Sequence, residues 1–261
     1  MNLEVIARVS RVREPHTPLL FVHGSCHGAW CWAENFLDYF ATHGYSSYAL
    51  SLRGHGQSDG KDIVQWASIK DYVADVSQVI NELPQPPVLI GHSLGGLVVQ
   101  KYLEKYNAPA AVLVASSPAS GMFVRGLSLF WQRPLLFTKT FFSLNVRTVY
   151  GTPALVQEML FSASMEKARV ERYAESLGEE SFRAFLEMMF YLPKPKKVKS
   201  PILVVGAKND AIVRPSEVER TGRAYKATVR IFPEMAHDMM LEDGWEDVAG
   251  YIRQWLQTKG L

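Results

Sequence analysis

The hexapeptide Gly91-His92-Ser93-Leu94-Gly95-Gly96 joins an apolar run to a helical pattern. The run Val88-Leu89-Ile90 precedes it, and the apolar residues of 97–103 follow it at helical spacing. A serine between a strand and a helix can be held in a strained turn, where flanking glycines leave room for the tight backbone. The pattern predicts that Ser93 is a nucleophile presented at the end of a buried strand.

Similar short apolar runs recur along the chain, each followed by Gly or by polar residues. They are 19–22, 47–52, 87–90, 110–115 and 201–205, with a last one at 229–232. Runs of this length with polar or glycine boundaries are typical of strands buried on both faces, and helical patterns lie between them. Alternating strands and helices predict an α/β fold with a mostly parallel sheet covered by helices on both faces. In such sheets the ligand site lies beyond the carboxyl ends of the strands.

A serine hydroxyl needs a base before it can attack, and the base needs an acid that orients it. His237 follows the last apolar run and precedes the final helical pattern at 245–256. Asp210 ends the segment that follows the run 201–205, whereas the loop 116–121 after the preceding run contains no carboxylate. The sequence therefore predicts a Ser93, His237 and Asp210 triad. Since neutral imidazole is the active form, activity should rise with pH through an apparent pKa of roughly 6 to 7.

Two backbone amides must also face the oxygen that becomes negatively charged during attack. Leu94 directly follows the nucleophile, and Ser25 lies in the glycine-rich loop after the run 19–22. We predict that the N–H groups of Ser25 and Leu94 form this oxyanion hole. His27, in the same loop, is a candidate for contact with the substrate.

The composition excludes several other classes of function. The chain has 261 residues and a formal net charge of +2, which does not indicate nucleic acid or an acidic membrane surface as a partner. No uninterrupted apolar stretch reaches the roughly 20 residues of a membrane helix, and the first residues do not read as a signal peptide. Cys26 and Cys31 form neither a redox motif nor a metal site, which favours a cytoplasmic protein. We expect no metal and no cofactor; the sequence does not indicate an oligomeric state.

The region 118–195 interrupts the alternation of strands and helices. It holds 13 of the chain's 30 aromatic residues, which favours an apolar pocket built partly from this region. We predict a core formed by 1–117 and 196–261, with 118–195 inserted as a helical cap. The candidates for the pocket lining near the start of the cap are Phe123, Leu127, Phe130 and Trp131.

Several motifs together resemble the α/β-hydrolase superfamily over nearly the whole chain: FVHGSCHGAWCW, LSLRGHGQSDG, GHSLGG, PILVVGAKND and AHDMMLE. The first is similar to the HGxCHGAWxW loop of plant methylesterases and hydroxynitrile lyases. RGHGQS and AHDMMLE resemble bacterial esterases, lysophospholipases and lactonases. Lyases of that type carry threonine where this chain has Gly24 and lysine where it has Asp238, so the resemblance argues against cyanohydrin chemistry.

The resemblance implies a serine hydrolase that takes a small-molecule ester as substrate. We expect cleavage of carboxylic esters with an apolar acyl or alcohol part. A lactonase, a thioesterase or a carbon–carbon bond hydrolase with the same triad stays open as an alternative. So does a small-molecule receptor with a hydrolase fold.

Overall fold

The computed structural model describes residues 1–12 and 16–261, apart from the side chains of Leu129 and Phe137. Seven strands form one sheet in the order β1-β3-β2-β4-β5-β6-β7. Their bounds are β1 (Val5–Arg8), β2 (Leu19–Val22), β3 (Ser47–Leu50), β4 (Val88–His92), β5 (Ala111–Val114), β6 (Ile202–Ala207) and β7 (Thr228–Phe232). β1 pairs antiparallel with β3 at one edge, and all other neighbours pair in parallel.

Eleven α-helices accompany the strands within the described residues. They are α1 (Trp30–Ala33), α2 (Phe36–Thr42), α3 (Ile69–Glu82), α4 (Ser93–Leu103), α5 (Phe123–Gln132), α6 (Pro134–Ser143), α7 (Pro153–Leu160), α8 (Lys167–Ser176), α9 (Phe182–Phe190), α10 (Pro215–Tyr225) and α11 (Trp245–Thr258). None of these helices is long and apolar enough to cross a membrane.

Successive side chains of a strand point to opposite sides, and in the central strands β2, β4, β5 and β6 the residues on both sides are buried. Phe21 of β2 belongs to a cluster with Phe36 of α2 and Ile252 of α11. Its neighbour Leu20 belongs to a second cluster with Val76 of α3 and, on α4, Val98. The predicted α/β fold with helices on both faces is confirmed.

Five of the helices, α5 to α9, lie between β5 and β6 along the chain. The buried Glu180, between α8 and α9, links them to the sheet domain: its carboxylate accepts hydrogen bonds from the Tyr72 hydroxyl at 2.8 Å and the Cys26 amide at 3.3 Å. The Gly178 amide in turn donates to the Cys26 carbonyl at 2.7 Å. We refer to 118–195 as the cap, and its division from the core stays a prediction.

Candidate active site

Ser93 lies at the junction of β4 and α4, as the first residue of the helix. Its φ is +49°, in the left-handed region that side chains other than glycine rarely adopt. The turn is tight enough that a Cβ on Gly91 would meet the Gly95 carbonyl oxygen at 2.6 Å. The tight turn presents Ser93 to the pocket above the sheet, and its role as a nucleophile stays a prediction.

His237 and Asp210 are paired in the structure. Nδ1 of His237 lies 2.8 Å from Oδ2 of Asp210, and both side chains are buried. Oδ1 of the same carboxylate accepts from the amides of Ile212 at 2.7 Å and Val213 at 2.8 Å, which fix its orientation. Because Asp210 accepts the Nδ1 proton, Nε2 of His237 is left as the proton acceptor.

The environment of His237 also adjusts its basicity. Burial lowers the pKa of His237, but the Asp210 carboxylate and its hydrogen bond raise it by more, so the pKa lies above its ordinary value of 6.5. The ring lies beside the nucleophile turn, with its centroid 4.7 Å from that of His92. A base with this pKa, beside the turn that holds Ser93, suits general-base chemistry near neutral pH.

His92 supports this arrangement as a neutral residue. Burial and the proximity of His237 lower the pKa of His92 to about 3. Its Nε2–H donates to the His237 carbonyl oxygen at 3.1 Å, which ties the nucleophile turn to the base. Gly24 packs against the same turn: a Cβ there would meet Nδ1 of His92 at 2.7 Å and the Ser93 Cβ at 3.0 Å.

This close packing places the predicted oxyanion loop next to the nucleophile. Ser25 follows Gly24 and lines the same pocket as Ser93. Within the described residues, the Ser25 amide donates no hydrogen bond to the protein. The Leu94 amide lies in the first turn of α4, where N–H groups have no partner within the helix. Both amides are free of partners in these segments, and their role as an oxyanion hole stays a prediction.

His27 is positioned differently from the prediction. It is buried and is not among the pocket-lining residues. Its Nδ1 lies 2.7 Å from the Ser25 carbonyl oxygen, and its Nε2 lies 2.9 Å from Oδ2 of Asp238. Since both of its nitrogens are engaged, His27 has no polar atom left for a substrate. It instead links the loop of Ser25 to Asp238, the residue after His237.

Asp238 is held as a buried carboxylate. Burial raises its pKa, but the charge and hydrogen bond of His27 lower it by more, so the pKa of Asp238 lies below its ordinary value. Among the described residues, His92, His237 and Asp238 form a group whose potential metal-ligand atoms lie within 4.8 Å of one another. Each of the three already has a hydrogen-bond partner in the protein. We therefore interpret the group as part of the hydrogen-bond network of the site.

The Asp238 and His27 pair gives a first testable prediction. Asp238→Asn keeps the shape of the side chain but removes the negative charge that holds His27 in place. His27 in turn holds the Ser25 carbonyl, so the position of the Ser25 loop should become less fixed. We expect kcat/KM to fall about tenfold, the effect of losing roughly 1.4 kcal/mol of transition-state stabilisation. Steady-state ester hydrolysis measures this. The control is Asp243→Asn, whose carboxylate lies at the surface and pairs with Arg169; equal activities of the two variants would contradict the prediction.

The pocket above Ser93 has a volume of about 950 Å³, part of it open to solvent. Most of its lining is apolar, with methionine the most frequent residue type. The lining residues are Ser25, Ser93, Ser117, Met122, Gly126, Arg133, Leu136, Thr140, Val146, Val149, Tyr150, Met159, Phe185, Met188, Met189 and Ile212.

The candidates Phe123, Leu127, Phe130 and Trp131 are not among these residues, which corrects the prediction for the lining. Phe123, Leu127 and Trp131 are exposed on the outer side of α5. Gly126 of α5 and Met122, the residue before the helix, line the pocket instead. A count of aromatic residues could not indicate which face of the helix points toward the pocket.

The fold and the site together define a class of protein. The sheet has seven strands and is mostly parallel, a serine turn follows β4, and an Asp–His pair follows β6 and β7. This combination is the α/β-hydrolase fold. Residues 13–244 match the family described as "Serine aminopeptidase, S33" (Hydrolase_4). The chain belongs to that family.

Individual relatives are similar over part of the chain. Methyl jasmonate esterase 1 of Vitis vinifera is 34% identical over 104 residues, which are 39% of this chain and 38% of that protein. A monoacylglycerol lipase of Mycolicibacterium smegmatis is 31% identical over 111 residues, 41% of this chain and 39% of the lipase. The matched segments thus span about two fifths of these relatives.

A solved structure is similar over nearly the full length. The putative non-heme bromoperoxidase BpoC of Mycobacterium tuberculosis H37Rv superposes with a TM-score of 0.79 at 17% identity. The match covers 99% of this chain and 97% of that one. At this identity the likeness establishes the fold.

Proposed function

We propose that the protein hydrolyses carboxylic esters with an apolar acyl or alcohol part, through an acyl-enzyme on Ser93. One observation carries the proposal: the strained Ser93 lines an apolar pocket, and the His237 ring, paired with Asp210, lies 4.7 Å from the ring of the preceding residue, His92. The ester-cleaving relatives named above support the same chemistry. Two buried, unpaired cysteines fit a reducing compartment, so the proposal includes a cytoplasmic location.

In the proposed first half-reaction, Oγ of Ser93 attacks the ester carbonyl carbon while Nε2 of His237 takes the hydroxyl proton. The carbonyl oxygen becomes an oxyanion that accepts hydrogen bonds from the amides of Ser25 and Leu94. Asp210 stabilises the imidazolium formed in this step. His237 then donates its proton to the alkoxide as the bond to the alcohol breaks, which leaves the acyl group on Ser93.

In the second half-reaction a water molecule takes the place of the alcohol. His237 removes a proton from the water as its oxygen attacks the acyl carbon, and the same oxyanion site is used again. Collapse of the intermediate returns the proton to Ser93 and releases the carboxylic acid. One water is consumed for each ester cleaved.

The pocket lining favours an apolar substrate with one polar contact away from the triad. Burial, together with nearby Cys26 and Asp238, raises the pKa of the Tyr150 phenol well above its ordinary value, so the hydroxyl stays protonated. No other described residue hydrogen-bonds this hydroxyl, which belongs to a pocket-lining side chain. It is available to donate to an oxygen of the bound ester.

The chain length of the acyl group tests the proposal. Each methylene moved from water into the pocket contributes about 0.8 kcal/mol, so kcat/KM for p-nitrophenyl esters should rise about threefold to fourfold per CH₂ until the pocket is full. Gly126→Leu should lower hexanoate turnover by about tenfold and leave acetate turnover close to the parent, because the new side chain occupies pocket volume. A Cβ on Gly126 itself meets only the flexible Met189 side chain, at 3.3 Å.

The matched control for this prediction is Leu127→Ala, one residue away on the exposed side of α5. It should leave the chain-length preference unchanged, whereas a lining role for Leu127 would flatten it. A parent series that peaks at acetate would contradict an apolar acyl pocket. The same panel should include acyl-homoserine lactones and acyl thioesters. Faster turnover of either class would make it the preferred substrate in place of carboxylic esters. Binding of these compounds without turnover would indicate a receptor.

A further inference from the structure

Glu180 is a buried carboxylate that the cap extends into the core. Oε1 accepts hydrogen bonds from the Tyr72 hydroxyl at 2.8 Å and the Ser181 amide at 2.7 Å, and Oε2 lies 3.4 Å from Nε2 of His55. Burial raises the pKa of Glu180, but the charge of His55 and these hydrogen bonds lower it by more, so the pKa lies below its ordinary value. Oε2 of this ionised, fixed carboxylate also accepts from the Cys26 amide, at 3.3 Å.

Cys26 occupies the third position of a tight turn that begins at Gly24. The His27 amide closes the turn on the Gly24 carbonyl oxygen at 3.3 Å. The φ of Cys26 is +63°, in the left-handed region that favours glycine, so the backbone is strained there. Such a turn relaxes when its central peptide group, between Ser25 and Cys26, rotates by about 180° and returns the third residue to negative φ. The strained form therefore persists only where that peptide group is held.

The peptide group between Ser25 and Cys26 is held at both of its polar atoms. Its carbonyl oxygen accepts from Nδ1–H of His27 at 2.7 Å, and its N–H donates to Glu180 at 3.3 Å. The next carbonyl oxygen, that of Cys26, accepts from the Gly178 amide at 2.7 Å. Both polar backbone atoms of Cys26 are thus bound by residues of the cap, directly after the residue whose amide is the predicted oxyanion donor.

We propose that Glu180 is a positioning residue for the oxyanion hole, which fixes the Ser25 amide by holding the next peptide group along the chain. The proposal rests on the ester hydrolase function proposed above, in which that amide stabilises the oxyanion. Rotation of the held group would shift Ser25 and move its N–H away from the oxyanion, and oxyanion donors act only when they are aligned in advance. Because Glu180 belongs to the cap, the oxyanion site is complete only while the cap is seated on the core.

Glu180→Gln tests the proposal with little change in side-chain volume. When its amide oxygen accepts from Tyr72 and Ser181, its NH₂ group faces the Cys26 N–H, and two donors cannot form a hydrogen bond. We expect kcat for p-nitrophenyl butyrate to fall about tenfold while KM stays within about twofold, because the oxyanion exists only in the transition state.

A transition-state analogue measures the oxyanion site directly. A trifluoromethyl ketone with a butyl chain adds to Oγ of Ser93 as a tetrahedral oxyanion, while His237 takes the hydroxyl proton. Its inhibition constant should rise about tenfold in Glu180→Gln, in parallel with the loss of kcat. An unchanged kcat, or a loss confined to KM with the ketone bound as tightly as by the parent, overturns the proposal, since Glu180 would then only hold the cap.

Glu179→Gln is the matched control, because it makes the same change one residue earlier. Its carboxylate accepts from the Asn145 side chain within the cap, at 3.4 Å. Its kcat and KM should stay within about twofold of the parent. Equal losses of kcat in the two variants would overturn the assignment to Glu180.

Tyr72→Phe covers the case in which Glu180→Gln fails to fold. It removes one donor that orients the carboxylate and leaves the bond to the Cys26 amide in place. We expect kcat to fall about twofold to threefold at unchanged KM, a smaller effect in the same direction. A folded Tyr72→Phe protein with the kcat of the parent would contradict the proposal.

Hydrogen–deuterium exchange of the loop 23–29, read by mass spectrometry, needs no turnover. Exchange should be at least about fivefold faster in Glu180→Gln than in the parent, and unchanged in Glu179→Gln, because only the first variant releases the turn. A parent that cleaves no ester would refute the hydrolase function, and the exchange rates would still decide whether Glu180 holds the loop. Exchange at the parent rate in Glu180→Gln overturns the positioning role whether or not esters are cleaved.

Discussion

Replacing Ser93 with alanine is expected to lower kcat for ester hydrolysis by about 10⁴-fold or more, because the acyl-enzyme can no longer form. The oxyanion site and the apolar pocket remain, so a small residual rate over the uncatalysed reaction should persist. A fluorophosphonate probe should label the parent protein at Ser93 and leave the variant unlabelled. Labelling followed by peptide mapping, together with steady-state rates, measures both effects.

The control for this experiment is Ser120→Ala, which removes an exposed serine after β5. It should keep both the labelling and the rate of the parent. An alanine variant at position 93 that still turns over esters within about tenfold of the parent would show that another group is the nucleophile. Circular dichroism of the variant checks that a loss of rate is not a loss of folding.

The sequence was most informative where a candidate reactive residue lies in a backbone turn with its own sequence pattern. Ser93 could be located because its turn needs glycines at fixed positions. Asp210 follows the buried strand β6, and His237 follows the recognisable apolar residues of the half-exposed edge strand β7. β1 escaped the sequence analysis, since Val5–Arg8 is a short, partly exposed edge strand without a continuous apolar run. Its place in the sheet depends on antiparallel pairing with β3, which no local pattern indicates.

Contacts between distant segments account for the remaining differences. His27 and Asp238 are 211 residues apart in sequence, and only the fold brings their side chains to 2.9 Å. Asp238 directly follows His237 in sequence, yet its carboxylate pairs with His27 rather than with that histidine. Which side of α5 points toward the pocket depends on the packing of the cap. Composition therefore could not predict that Met122 and Gly126 line the pocket or that Trp131 is exposed to solvent.

The pairing of Asp210 with His237 leads to the second large effect. Asp210→Asn should lower kcat by about 10³-fold to 10⁴-fold, because the amide nitrogen donates to Nδ1 and places the histidine proton on Nε2, facing the serine. The amide oxygen can still accept from the Ile212 and Val213 amides, so the loop should stay folded. Glu234→Gln is the control, since Glu234 is an exposed acid near His237 in sequence. A larger loss in that variant would move the acid role to Glu234.

The pH profile distinguishes this orienting role from a merely structural one. The Asp210 carboxylate raises the pKa of His237 above 6.5, so kcat/KM of the parent should climb with pH through a midpoint on the upper side of that value. Removing the charge lowers the pKa of His237, because the imidazolium loses its stabilising partner while burial still disfavours it. In Asp210→Asn, the rise of kcat/KM with pH should therefore occur at lower pH than in the parent, while the plateau value of kcat/KM falls. If kcat/KM of the variant rises at the same pH as that of the parent but reaches a lower plateau, Asp210 does not contact the titrating base in solution.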